Sequence, residues 1–336
     1  MRNILSILIY FPLIVCAQES LENKKDTSES ITTDSLTLIF IGDIMGHDSQ
    51  IESAFNKEDK TYNYESVFEK IAPSIQSADI AIANLEVTLA GKPYAGYPAF
   101  SSPDELAIAC KKSGIDVLVT ANNHSCDRGT KGLIRTLDIL DSLGIPHTGT
   151  FKDSIERNNN NLLILEKNNI RLGILNYTYG TNGIPIRHPT IVNLIDTSLI
   201  LADIQESKKD TLDKLIVFIH WGEEYQPHPS KKQVSLAKFL FNNEVDIVIG
   251  SHPHVLQRME FIKKNEEKDE QVIAYSLGNF VSNQRTRKRD GGAMLNIKIK
   301  KKGNKAEIVE CGYHLTWVNT PIVNNKKEFE IIPCAK

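Results

Sequence analysis

Five short apolar runs, each followed at once by a residue that can bind a metal, recur along the chain. Runs of four to eight apolar and β-branched residues are typical of buried strands, and the carboxyl ends of parallel strands are where open α/β sheets bind ligands. The five runs are L-T-L-I-F-I-G-D (Asp43), D-I-A-I-A-N-L-E (Asn84 and Glu86), D-V-L-V-T-A-N-N-H (Asn123 and His124), L-I-V-F-I-H (His220) and D-I-V-I-G-S-H-P-H (His252 and His254).

Helical patterns separate the first three runs. An alternation of strands and helices implies parallel strands with right-handed crossovers, so Asp43, Glu86 and Asn123 are expected at one edge of a sheet. Apolar spacing, together with Pro and Gly at the ends, predicts helices over Tyr64–Ser77 with a kink at Pro73, over Pro103–Lys112 and over Arg128–Leu143.

The second half of the chain mixes antiparallel and parallel patterns. Asn168-Asn169 predicts a hairpin turn between Leu162–Glu166 and Ile170–Tyr177. Helices are expected over Thr197–Lys208 and Lys231–Asn242, and antiparallel strands after Val255. These patterns predict an α/β fold in which two mixed sheets pack together between helices. The antiparallel strands are expected over Val272–Tyr275, Ala293–Ile299 and Ala306–Cys311.

The first 34 residues differ in composition from the rest of the chain. Residues 1–17 combine one early positive charge with an uncharged apolar run, which is typical of a secretory signal peptide. Lipid modification of Cys16 is the second interpretation, and an uncleaved anchor is the third. Residues 18–34 are polar and predict a disordered spacer, so a single domain is expected over residues 35–336. The protein is therefore expected to be exported, to the periplasm or the cell surface.

Charge and cysteine content exclude two classes of function. The formal net charge is −3, whereas general nucleic-acid binders need clustered Lys and Arg to hold phosphates, so no nucleic-acid partner is expected. The five cysteines include no C-x-x-C pair, which argues against a thiolate zinc knuckle. Carboxylate, amide and imidazole side chains instead suit Mn, Fe or Zn, and a shared carboxylate can hold two ions about 3.5–4 Å apart. One or two divalent ions are expected.

Six motifs, in this order along the chain, resemble the CapA family, the poly-gamma-glutamate capsule biosynthesis family. The domain of that family is similar to the calcineurin-like metallophosphoesterases. The resemblance runs from about Leu36 to about Leu295 and implies a four-layer α-β-β-α sandwich with a metal site at the strand ends. The motifs are G-D-I-M at 42–45, N-L-E at 84–86, A-N-N-H-S-C-D-R-G at 121–129, H-W-G at 220–222, G-S-H-P-H at 250–254 and Y-S-L-G-N-F at 275–280.

The resemblance also implies a role for individual residues. His124 would steady or protonate the leaving oxygen. Met45 stands where metallophosphoesterases carry the His of an Asp-x-His motif, and Glu86 stands where they carry a bridging Asp, which leaves one ion and two ions as alternatives. The metal ligands implied by the family pattern are Asp43, Glu86, Asn123, His220, His252 and His254.

Several residues near these motifs have two interpretations. Asn84 and Asn279 either orient ligands or bind substrate, or else form turns. Asp127 either holds His124 or caps the following helix, and capping is the favoured interpretation. His252 alternatively caps a loop. The basic run Arg285, Arg287, Lys288 and Arg289 either receives an anionic polymer or forms a solvated loop.

Two functions of different class follow from these patterns. The first is a metal-dependent hydrolase or transferase outside the cytoplasm, with a phosphoester or an anionic surface polymer such as poly-gamma-glutamate as substrate. The alternative is a non-catalytic accessory subunit that binds and guides the polymer during synthesis or export. Either function implies membrane synthase or export subunits as candidate partners.

Overall fold

The structure, a computed structural model, describes residues 33–263 and 269–334. The signal peptide predicted over residues 1–17 lies outside the described residues, as does the predicted spacer apart from residues 33 and 34. The first strand begins at Thr33, two residues before the predicted start of the domain. Within the described residues, no helix has both the length and the apolar character that crossing a bilayer requires.

The strands vary from two residues, as in β4, to fifteen residues in β15. In chain order they are β1 (Thr33–Ile44), β2 (Ile80–Leu85), β3 (Val117–Val119), β4 (His147–Thr148), β5 (Thr150–Phe151), β6 (Leu163–Lys167), β7 (Ile170–Thr178), β8 (Ile191–Val192), β9 (Lys214–His220), β10 (Ile247–Ser251), β11 (Met259–Ile262), β12 (Gln271–Ala274), β13 (Asn279–Val281), β14 (Gly291–Lys302), β15 (Lys305–Asn319), β16 (Ile322–Val323), β17 (Lys326–Lys327) and β18 (Glu330–Pro333).

The helices lie between these strands, and the three longest follow β3, β8 and β9. They are α1 (Asp48–Ala54), α2 (Glu65–Phe68), α3 (Ala72–Ile75), α4 (Glu105–Ser113), α5 (Gly129–Ser142), α6 (Ser154–Asn160), α7 (Thr197–Ser207) and α8 (Lys231–Asn242).

Two mixed sheets form the centre of the domain. The first has the order β18-β15-β14-β1-β2-β3-β4, with β13 also paired to β1. Its strands β1, β2 and β3 run parallel, whereas β14 and β15 run antiparallel to their neighbours. The second has the order β11-β12-β10-β9-β7-β6, in which β7, β9, β10 and β12 are parallel. Parallel strands place their carboxyl ends at one edge of each sheet, as predicted.

An apolar core joins the two sheets. Phe40 of β1 shares this core with Ile174 of β7, Phe218 of β9 and Ile249 of β10, and all four side chains are fully buried. Because side chains alternate along a strand, the intervening residues face outward onto helices. They form two further cores, one that includes residues of α2 and α4 and one that includes residues of α7 and α8. The predicted four-layer α-β-β-α arrangement is confirmed.

Two local predictions are wrong in informative ways. The helix expected over Tyr64–Ser77 is two short helices, α2 and α3, separated by Glu69–Ile71. Pro73 lies in the first turn of α3, where proline is favoured, so a new helix begins there and no continuous helix is kinked. Strand β12, expected to be antiparallel, runs parallel to β10 and antiparallel only to β11. The pairing partner, and not the local sequence of the strand, decides its direction.

Candidate metal centre

The six predicted ligands come from both sheets and meet at the carboxyl ends of their strands. Asp43 belongs to β1, Glu86 directly follows β2 and Asn123 lies in the loop after β3. The second sheet contributes His220 at the end of β9 and two histidines just after β10. The relative exposures are Asp43 0%, Glu86 0%, Asn123 2%, His220 0%, His252 3% and His254 1%.

Backbone conformation after β10 positions both histidines of the H-P-H motif. His252 and His254 adopt positive φ angles of 97° and 55°, a conformation that is uncommon for residues other than glycine. Gly250 allows this turn to lie against the neighbouring strand, because a Cβ atom there would lie 2.1 Å from the carbonyl oxygen of Tyr275. Uncommon backbone conformations of this kind concentrate at functional sites.

Hydrogen bonds cross from one sheet to the other within this cluster. His254 Nδ1 lies 3.2 Å from Asp43 Oδ2 and 3.0 Å from Asn279 Oδ1. Both partners are acceptors, so Nδ1 carries a proton, and Nε2 is the ring nitrogen that could bind a metal. His220 Nε2 lies 2.8 Å from Asn123 Oδ1, which brings two predicted ligand atoms from opposite sheets side by side.

Glu86 connects two overlapping groups of candidate ligand atoms. One group consists of Glu86, His252 and His254, and the other of Asp43, Glu86 and His220; within each, the ligand atoms lie within 4.8 Å of one another. Glu86 Oε1 is buried and makes no hydrogen bond to any described residue, although Nε2 of His220 lies 3.5 Å away and Nε2 of His254 lies 3.8 Å away. A buried carboxylate oxygen facing two imidazole nitrogens fits a bound divalent cation.

The protonation states also fit a cation site. Burial, reinforced by the charge of Asp43, raises the pKa of Glu86 well above its usual value. Burial alone would raise the pKa of Asp43 too, but contacts with His254 and Asn84 outweigh it and lower that pKa. Burial lowers the pKa of His220 well below its usual value and that of His252 to about 3, so both imidazoles are neutral, the form that binds metals.

Asp127 holds His124 and does not cap a helix, so the favoured interpretation from the sequence is wrong. His124 Nδ1–H donates to Asp127 Oδ2 at 2.8 Å, and the backbone N–H of Phe100 donates to the same oxygen at 2.7 Å. The N-cap residue of α5 is Arg128, without a side-chain capping bond. The carboxylate therefore fixes the orientation of the His124 ring.

The two predicted supporting amides contact ligands directly. Asn84 Nδ2 donates to Asp43 Oδ1 at 2.8 Å, and Asn84 Oδ1 accepts from Asn122 Nδ2 at 3.2 Å. Asn279 Oδ1 accepts from His254 Nδ1, while Asn279 Nδ2 donates to the carbonyl oxygen of Arg289 at 2.8 Å. Both amides are fully buried and hydrogen-bond to predicted ligands, as expected of groups behind a metal site.

The model of the bacterial capsule synthesis protein family PGA_cap matches residues 37–284, most of the chain and every residue of the cluster. The chain belongs to this family.

Two relatives named CapA match most of this chain. The capsule biosynthesis protein CapA of Bacillus anthracis is 28% identical over 284 residues, covering 80% of this chain and 65% of that protein. The PGA biosynthesis protein CapA of Bacillus subtilis is 27% identical over 299 residues, covering 85% of this chain and 74% of that protein. The chain thus spans slightly less than two thirds of the first relative and about three quarters of the second.

Two solved structures are similar to this chain in fold. A novel phosphatase from Mycoplasma pneumoniae has a TM-score of 0.50 and 16% identity, covering 84% of this chain and 94% of that one. The NAD nucleotidase NadN of Haemophilus influenzae has a TM-score of 0.51 and 12% identity, covering 91% of this chain and 54% of that one. The fold is therefore metallophosphoesterase-like.

Some residues beside the cluster are not identified by the sequence patterns. The ring of Tyr179, from the loop after β7, stacks on His220 at 6.3 Å and lies 4.6 Å from His252. Ser251 Oγ lies 2.8 Å from His220 Nδ1. His47 follows Asp43 by four residues, and its Nδ1 accepts the backbone N–H of Asn283 at 3.2 Å. Its position just after the first motif is the signal that could have drawn attention to it.

Met45, which the resemblance aligns with the histidine of the metallophosphoesterase Asp-x-His motif, contributes nothing polar to the site. Its side chain is buried and packs in the apolar core between the first sheet and its helices. Since Glu86 is shared by both ligand groups, the missing imidazole removes one donor without separating the two groups.

Proposed function

We propose that this protein is a metal-dependent hydrolase or transferase that acts outside the cytoplasm on an anionic polymer during capsule biosynthesis. Membership of the capsule synthesis family and the names of its CapA relatives support the pathway. The PGA biosynthesis name of the Bacillus subtilis relative supports poly-gamma-glutamate as the polymer. The single observation that carries the chemistry is the buried Glu86 carboxylate shared by two ligand groups.

The proposed metal ligands follow from the position of Glu86, which belongs to both groups of candidate ligand atoms. Glu86 would contact both positions, with His252 and His254 on one side and Asp43 and His220 on the other. Asn123 would join the second position, because its Oδ1 lies beside His220 Nε2. Mn, Fe and Zn all suit these donors, and such ions supply Lewis acidity and activate water at neutral pH.

His124 is the proposed proton donor to the leaving oxygen. Its Nδ1–H is held by Asp127, and the ring packs edge-on against Phe100 with 4.6 Å between centroids. These two contacts restrain the imidazole in one orientation, in which Nε2 would carry the proton that passes to the leaving oxygen. A positioned imidazole typically contributes about 10²–10⁴-fold to a reaction that needs proton transfer.

Export is the proposed cellular context. The signal peptide predicted over residues 1–17, with a lipid anchor at Cys16 as its alternative, would take the domain out of the cytoplasm. The domain would then lie on the side of the membrane where the surface polymer is located. Capsule biosynthesis relatives support an envelope-associated role. Membrane synthase or export subunits are the proposed partners.

Metal content and activity of the purified protein test this proposal together. We expect one or two equivalents of a divalent metal, and hydrolysis of a phosphodiester or of poly-gamma-glutamate that depends on added Mn. The double variant His252→Ala with His254→Ala is expected to lose the metal and the activity. His228→Ala is the matched control, because His228 is exposed and lies outside the cluster. Full activity in the double variant would refute the site.

The accessory-subunit function makes a different prediction for the same double variant. If the cleft only binds and guides the polymer, the variant without metal keeps its affinity for poly-gamma-glutamate, and no preparation hydrolyses either substrate. Measuring binding and hydrolysis on the same protein samples separates the two functions.

A further inference from the structure

The basic run after β13 contains arginines in two different structural situations. Arg285 Nη2 donates to the carbonyl oxygen of Val318 at 2.6 Å, and burial lowers the pKa of its guanidinium. Arg285 therefore holds two segments of the chain together. Arg287 and Lys288 are exposed, whereas Arg289 is half-buried. Only Arg289 combines partial burial with a position next to the metal centre.

An aromatic ring separates the Arg289 guanidinium from a proposed metal ligand. Arg289 Cζ lies 3.3 Å from the centroid of the Tyr225 ring, and that ring lies 6.1 Å from the ring of His254. The backbone N–H of Tyr225 donates to the carbonyl oxygen of Pro253 at 2.7 Å, within the H-P-H motif itself. Stacking on tyrosine orients a guanidinium while leaving its N–H groups available to an anion.

The backbone of Arg289 is fixed to the same centre. Its carbonyl oxygen accepts from Asn279 Nδ2, and Asn279 Oδ1 accepts from His254 Nδ1. Its own N–H donates to the carbonyl oxygen of Thr286, which closes the loop. Among the described residues, no salt bridge includes Arg289, so its guanidinium can still pair with an anion.

We propose that Arg289, held over Tyr225, is a substrate-binding residue. One anionic group of the polymer would lie at the metal centre, and the guanidinium of Arg289 would bind the neighbouring anionic group along the polymer. This inference rests on the proposed function, because it takes the metal centre as the place where the polymer reacts. It goes further by assigning a second anion-binding position beside that centre, which favours a chain with repeated carboxylate or phosphate groups over an ester with a single anionic group. Charge-assisted, bidentate contacts make arginine well suited to both anions.

Equilibrium binding to the metal-loaded mature protein tests the assignment. The probes are a γ-linked glutamate octamer and a linear polyphosphate of eight units, measured by titration calorimetry at one ionic strength. We expect Arg289→Gln to weaken binding of the better probe by about tenfold, since hydrogen bonds to charged groups are roughly twice as strong as neutral ones. Which probe binds more tightly identifies the anion as carboxylate or phosphate.

The controls separate Arg289 from the general charge of the loop. Arg287→Gln removes the same charge two residues away and is expected to change affinity less than about threefold, as for exposed charges. Tyr225→Phe keeps the aromatic ring and is expected to bind like the wild type, whereas Tyr225→Leu is expected to bind like Arg289→Gln. Metal content is expected to be unchanged in all four variants.

The outcomes distinguish this inference from the proposed function. Equal effects of Arg289→Gln and Arg287→Gln on affinity, or a wild-type protein that binds neither probe, would overturn the role of Arg289. Binding that depends on Arg289 in a protein without metal or hydrolytic activity would instead refute the proposed chemistry and keep the anion site. If hydrolysis depends on the metal but polymer binding does not depend on Arg289, the proposed chemistry stands and the role of Arg289 is refuted.

Discussion

The middles and the carboxyl ends of the same strands are equally buried but carry opposite chemistry. In β1, Phe40 and Asp43 are both 0% exposed, and in β9 the same holds for Phe218 and His220. Two or three residues along each strand therefore separate the apolar core between the sheets from the polar cluster at its edge.

The two regions contribute to stability with opposite sign. Burying a large apolar side chain stabilises the fold by about 1.5–3 kcal/mol, whereas burying an ionisable group costs free energy unless it is paired. Most polar atoms of the cluster have partners, but Glu86 Oε1 and His252 Nδ1 make no hydrogen bond within the described residues. The core thus supports a cluster that by itself weakens the fold, which is typical of functional sites.

The largest expected effect on stability comes from the core. Phe40→Ala leaves a cavity between the sheets, and we expect it to reduce the free energy of unfolding by about 3–5 kcal/mol. Urea denaturation at neutral pH measures the change. Metal content per folded molecule is expected to stay the same, because the polar cluster keeps all its donors.

Tyr313→Ala provides the control for this substitution. Tyr313 lies in β15 and is 58% exposed, so its removal is expected to change stability by less than about 0.5 kcal/mol. A similar loss in both variants would contradict the division between a stabilising core and a destabilising site.

Apolar runs in the sequence predict both the core and the edge at which polar residues meet, whereas the choice of six ligands among those polar residues rests on the family resemblance. Apolar runs mark the strands, and each run ends where the polar residue begins, so parallel pairing alone brings Asp43, Glu86 and Asn123 to one edge. The H-P-H motif and His220 follow from the same rule in the second sheet.

Contacts between distant segments are what local patterns do not predict. Asp127 stands where a helix cap is common, but the N–H of Phe100, 27 residues earlier, and the ring of His124 bind its carboxylate. Tyr179 and Tyr225 come from loops whose courses depend on the packing of both sheets. Their neighbours are set by tertiary structure and carry no signature in the sequence.

The second prediction places a substitution in the polar cluster. Glu86→Gln keeps the shape of the side chain but removes the shared charge, and we expect activity to fall by about 10²–10³-fold, as when one preorganised electrostatic group is lost. The stability of the metal-free protein is expected to be unchanged or higher, because burial and Asp43 already disfavour the charged form of Glu86. Activity assays and urea denaturation after chelation provide the two measurements. Destabilisation comparable to that of Phe40→Ala would contradict the comparison.

The smallest predicted effect is on the pH dependence of stability in the metal-free protein. Burial lowers the pKa of His252 from 6.5 to about 3, so the unfolded chain takes up a proton first as the pH falls below 6.5. The free energy of unfolding is therefore highest above pH 6.5 as far as His252 is concerned, and it falls toward pH 3 by about 1.4 kcal/mol per pH unit. We expect His252→Asn to remove this slope, a difference of about 2 kcal/mol between pH 6.5 and pH 5. Urea denaturation of chelator-treated protein at several pH values measures this difference, and His228→Asn is the exposed control. If the free energy of unfolding changes with pH in the same way in His252→Asn and in the wild type, the imidazole of His252 is not buried in its neutral form.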